Sequence, residues 1–100
     1  MTIPILWWID DTARVVGTFT ISGVDTDPTT ITFKIEDPNG NVTVNLYGSS
    51  NIVKDSVGIY HLDVLLTVAG NWDFRIVGTG AVQAASEQQL TVQQSFFASP

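Results

Sequence analysis

Asp55 to Gly80 reads DSVGIYHLDVLLTVAGNWDFRIVGTG, and its two alternating runs decide the fold. In the first run, Tyr60, Leu62 and Val64 alternate with His61, Asp63 and Leu65. In the second, Trp72, Phe74 and Ile76 alternate with Asn71, Asp73 and Arg75. A period of two belongs to a strand with one face covered and one face wet. Gly70 lets the chain reverse between the runs, and Gly78 and Gly80 punctuate the far end. The stretch therefore predicts a hairpin of two long antiparallel strands with Tyr, Leu, Val, Trp, Phe and Ile on a single face. That face needs a second sheet to cover it.

The same periodicity extends outward from this hairpin. Arg14 to Ser22 puts Val15, Gly17, Phe19 and Ile21 on one side, and Gly23 to Thr29 is turn chemistry around Asp27-Pro28. Thr30 to Glu36 alternates Ile31, Phe33 and Ile35 with polar residues. Asp37-Pro38-Asn39-Gly40 follows as a tight turn, with Pro at its second position and Asn-Gly where positive φ is needed. Asn41 to Tyr47 then places Val42, Val44 and Leu46 on the face expected to be buried. Ile52 and Val53 open a short edge strand, and Glu87 to Gln93 reads as a weaker closing strand. Gln83 to Gln89 leaves room for one helical turn. About seven strands at a spacing of roughly ten residues make an all-β antiparallel sandwich. The expected core is Phe19, Ile21, Ile31, Phe33, Ile35, Val42, Val44, Leu46, Tyr60, Leu62, Val64, Trp72, Phe74 and Ile76.

One hundred residues with 44% apolar content suit a single domain that builds its own core. The absence of cysteine excludes a disulfide framework, a thiolate metal site and a cysteine nucleophile. Four Lys and Arg against ten Asp and Glu give a formal charge of −6, which repels phosphate backbones and anionic lipid. Neither nucleic acid nor a membrane is an expected partner. The N-terminal MTIPILWWIDD lacks a basic flank, and its apolar run is too short to span a bilayer. A complete small gene product made in the cytoplasm is the expectation. Its parts are an apolar segment or first strand at 1–13, the sandwich at 14–93 and a tail at 94–100.

By its turns and strands the chain resembles the immunoglobulin-like superfamily. Asp55 to Tyr60 looks like the tyrosine-corner turn into a penultimate strand, whose hydroxyl ties back to backbone. Two residues separate Asp55 from Gly58 where such families often have one. Leu62 stands where antibody domains carry their second cysteine, and Trp72 follows the tyrosine, so an antibody-type domain is excluded. A closer resemblance is to small structural proteins of tailed bacteriophages. It rests on four motifs in order: Asp37 to Gly40, Asp55 to Tyr60, Ala69 to Arg75 and Gly78 to Ala85. The resemblance implies a non-enzymatic virion protein that contacts shell, neck or tail proteins, and a homo-oligomer or a multi-copy place in an assembly is expected. A carbohydrate- or cell-surface-binding module is the alternative.

The residues that carry chemistry are few. His61 is the only histidine and shares a strand with Asp63, but no nucleophile or oxyanion motif accompanies the pair. It is expected on the wet face, and no catalytic role is assigned. Asp25, Asp27, Glu36 and Asp37 flank two loops without the spacing of a calcium loop, so turn and capping roles are expected in place of a metal site. Gly78-Thr79-Gly80 has no following helix to make a phosphate site, and no cofactor is expected. Tyr60, Trp72 and Phe74 are in phase with aliphatic neighbours and belong to the core. Trp7 and Trp8 are adjacent, so on a strand one ring faces in and the other out. Together with Ile5, Phe96 and Phe97 they form the expected interface, with the sandwich as a rigid spacer between partner contacts.

Overall fold

The computed structural model describes residues 7–49 and 51–94. Ile5, Phe96 and Phe97 of the expected interface lie outside these residues. The fold is all-β. Its strands in chain order are β1 (Trp7–Trp8), β2 (Thr12–Thr18), β3 (Thr20–Ile21), β4 (Val24–Asp25), β5 (Thr30–Glu36), β6 (Val42–Leu46), β7 (Val53–Ser56), β8 (Ile59–Leu65), β9 (Gly70–Thr79) and β10 (Ala84–Gln93). Seven of these have four residues or more. One sheet has the order β1-β10-β9-β5-β6, a second has β2-β8-β7, and β3 pairs only with β4. All pairings are antiparallel except β1 with β10, where Trp7 lies opposite Val92 and Trp8 opposite Gln93.

The two sheets face each other across one core. Ala13 and Val15 of β2 and Tyr60, Leu62 and Val64 of β8 meet Ile31, Phe33 and Ile35 of β5 and Trp72, Phe74 and Ile76 of β9. Gly17 marks the closest approach, because a Cβ there would stand 2.9 Å from the Ile76 side chain and 3.5 Å from the Phe33 ring. Only a residue without a side chain lets β2 sit this near the other sheet.

This arrangement corrects the hairpin reading of Asp55 to Gly80. β8 and β9 lie in different sheets, and their apolar faces look at each other across the core. Alternation identifies the buried face of each strand, but a hairpin and an inter-sheet crossover bury the same residues. The crossover itself is anchored. Leu66 is fully buried, donates its N–H to Asp11 O at 2.8 Å and accepts from Asp10 N at 2.8 Å. The Trp72 indole closes the same corner by donating to Val68 O at 2.8 Å.

Further expectations change for local reasons. The strand read from Arg14 to Ser22 stops at Thr18, and Phe19 bonds to Gly58 O and Thr26 N instead of continuing a ladder. Ser22 and Gly23 both have positive φ, 49° and 81°, which is the geometry of a tight two-residue hairpin. Ile21 therefore pairs with Val24 in the open and is 47% exposed, outside the core. Residues 84–93 are strand throughout, with no helical turn, and Ile52 is buried just ahead of β7.

β6 is the largest correction, since Val42, Val44 and Leu46 are 57%, 54% and 50% exposed. The turn before it explains why. Asp37 N–H donates to Asn41 O, Gly40 N–H donates to Asp37 O, and Gly40 alone of the turn residues has positive φ, at 86°. The loop thus holds three residues, Pro38, Asn39 and Gly40, and sets Glu36 opposite Val42. A two-residue Asn-Gly loop would set Asp37 opposite Val42 and turn the valines inward. One extra loop residue moves every side chain of the strand to the other face.

Candidate functional site

Asp27 organises one end of the molecule. It sits on the entry to β5 beside buried Pro28 and reaches the β7–β8 turn. Its carboxylate accepts from Lys54 Nζ at 2.7 Å, from Gly58 N at 2.7 Å and from the Tyr60 hydroxyl at 2.8 Å. These contacts, Lys54 first, then Gly58 and Tyr60, hold its pKa down at about 2. Burial, and then the bond to Asp27, pushes the Tyr60 phenol up to about 12. The tyrosine corner is thus corrected on two counts. Tyr60 opens β8 and not the penultimate strand, and its hydroxyl meets a carboxylate 33 residues back in place of backbone. Its ring stands edge-on to Phe19 and to Tyr47. In sequence Asp27 is legible only as Asp-Pro turn chemistry, since nothing local ties it to Tyr60.

His61 is also placed differently from its expected wet surface. It lies on the outer side of the central strand of the smaller sheet, opposite Val16 and Val53, and is only 6% exposed. A shift in pairing register between Lys54 and Ser56 brings Asp55 to the ring, whose Nδ1 lies 2.7 Å from Oδ2. Nε2 lies 3.9 Å from Asp63, which is occupied by a two-pronged contact with Arg14 at 2.9 and 3.1 Å. The bond and charge of Arg14 lower the pKa of Asp63. The ring is a covered member of a surface charge network. Asp55, which the sequence pattern marks as a turn residue, is its partner.

Asp37 serves a turn. Asp37 accepts from the backbone of Asn39 and Asn41 and from the Asn41 amide, and its pKa is lowered by those bonds, the Asn41 backbone first. Among the described residues, no group of three or more His, Cys, Asp or Glu is placed to hold a metal ion.

Two surfaces among the described residues are candidates for contact with other molecules. The first is the outer row of β6, Val42, Val44 and Leu46, on an edge strand beside exposed Tyr47. The second is an open cleft of about 270 Å³, bordered by Thr43 and Asn45 of β6 and Asp63 of β8 over Ile35, Leu62 and Trp72. It exists because the β6 register turns Thr43 and Asn45 toward the core side in place of the valines. Trp7 and Trp8 are both half-buried, and Trp7, like Ile9 and Leu90, is packed against the core. No family model, no curated protein and no solved structure matches the chain.

Proposed function

We propose that the chain is a non-enzymatic structural protein of a tailed-bacteriophage particle. It is made in the host cytoplasm and serves as a capsid decoration, a head–tail junction component or a tail component. The order of the four sequence motifs supports this reading, and so does the strand order β1-β10-β9-β5-β6 over β2-β8-β7, which is compatible with a β-sandwich. The observation that carries it is the row Val42, Val44 and Leu46, exposed on an edge strand. An exposed apolar row on an edge strand is an interaction surface. His61 favours a non-enzymatic role, because its ring is covered and its Nδ1 is held by Asp55.

The partners in this reading are shell, neck or tail proteins, with the protein present in many copies. Trp7 and Trp8, with Ile5, Phe96 and Phe97 beyond the described residues, supply a second apolar contact at the chain ends. Proteomics of purified particles is the direct test. The protein is expected as a multi-copy component, and its absence from infectious particles would overturn the reading. The cleft over Trp72, rimmed by Thr43, Asn45 and Asp63, favours the second reading, a glycan-binding module. Glycan binding by the isolated chain without incorporation into virions would select it.

A further inference from the structure

The strand edges of this molecule differ in charge. Of the edge strands with four residues or more, β2 carries Arg14, and β7 carries Lys54 and Asp55. A charged side chain on an edge strand discourages a second chain from pairing there. β6 has no such guard, and from Pro38 to Val53 the sequence contains no Asp, Glu, Lys, Arg or His. Two copies, each with a formal charge of −6, repel one another over most of their surfaces. The β6 edge is where they meet with no ionised side chain on either pairing strand.

At Val42 and Val44 the backbone of β6 is ready for such a meeting, while the Leu46 carbonyl accepts from Ser49 N at 3.2 Å. Tyr47 N donates to Ile31 O and Asp37 N donates to Asn41 O, so the residues of β6 that bond to β5 are the odd-numbered ones. The alternation of an antiparallel ladder then turns the N–H and C=O of Val42 and Val44 toward the free edge. The sequence is also self-complementary about its centre. An antiparallel pairing of β6 with itself sets Val44 against Val44, Val42 against Leu46 and Thr43 against Asn45. Apolar side chains meet on the outer face and a hydroxyl meets an amide on the inner one.

We propose that β6 pairs with β6 of a second copy about a two-fold axis through Val44, joining two five-stranded sheets into one. Such an isologous contact closes on itself and gives a dimer, not a fibre. The proposal deepens the reading of the chain as one that works through protein contacts. Its test uses the purified chain alone, so the outcome is separate from whether a particle carries the protein.

The axis through Val44 makes the test specific. In a Val44→Lys variant two lysines would meet across the axis, and in Val44→Glu two glutamates would, so each variant loses dimerisation. Mixing the two puts Lys opposite Glu and restores it. Sedimentation of the wild-type chain should show a concentration-dependent dimer, each variant alone a monomer with an unchanged circular dichroism spectrum, and the mixture a dimer. Leu65→Lys, on the outer face of the other sheet, should dimerise as the wild type does. A wild-type chain that stays monomeric at every concentration reached overturns the proposal. So does a Val44→Lys chain that still dimerises, or a mixture of folded variants that stays monomeric.

Discussion

β9 and β6 have the same kind of sequence and opposite fates. In β9, Trp72, Phe74 and Ile76 alternate with polar residues and are buried. In β6, Val42, Val44 and Leu46 alternate with Thr43 and Asn45 and are exposed. β9 is central, with β5 on one side and β10 on the other, whereas β6 has one neighbour. A period of two fixes which residues share a face. Which face goes inward is fixed by what precedes the strand, here a loop of three residues where two would have reversed it.

The largest test of that contrast is truncation. Trp72→Ala should destabilise by about 3–5 kcal/mol in a denaturant titration, since it empties a filled core position and removes the bond to Val68. A loss under about 1 kcal/mol would mean that the core is not organised around β9. Next comes Gly58→Ala. Gly58 has φ 76°, and a Cβ there would lie 2.6 Å from Phe19 O and 2.8 Å from Thr26 N, both backbone. A loss of about 2–4 kcal/mol is expected, from backbone strain plus a clash that cannot relax. Gly40→Ala sharpens the comparison, because Gly40 has a similar φ of 86° with nothing within 4 Å. Strain alone should then cost about 1 kcal/mol. Val44→Thr is the smallest change and should stay within about 0.5 kcal/mol in dilute solution.

The Asp27 carboxylate adds a pH test. The pKa of Asp27 is depressed to about 2 in the folded chain against an ordinary 3.8, so the folded state resists protonation there. The stability it contributes is fully present above about pH 3.8 and is lost as pH falls through about 2. Asp27→Asn should remove that part of the acid limb, measured as a flatter dependence of the unfolding midpoint between pH 4 and pH 2. An unchanged slope would mean that Lys54, Gly58 and Tyr60 do not hold the carboxylate in solution.

The buried faces of β2, β5, β8 and β9 are legible in sequence because each depends on alternation alone. β3 and β6 are not, because Ile21 and Val44 are placed by turn geometry: Ser22 takes a positive φ that its residue type does not announce, and Asn39 does not take the one that Asn-Gly suggests. The corner of Asp27 and the covering of His61 depend on contacts between distant residues or on a register shift within β7. No local pattern encodes either. The β6 edge is a different case, since its lack of charge is plain in the sequence and only its exposure is not.

The passage of the chain from β8 in one sheet to β9 in the other also bears on how quickly the molecule assembles. A hairpin at Asp55 to Gly80 would have given the chain a local place to start. Instead β8 finds its long partner in β2, and the Arg14–Asp63 contact joins residues 49 apart in sequence. Closing that loop takes chain entropy before the core repays it, which places refolding on the order of milliseconds to seconds, the range of all-β sandwiches. β6 itself pairs with β5 across a three-residue loop, so that contact closes little chain.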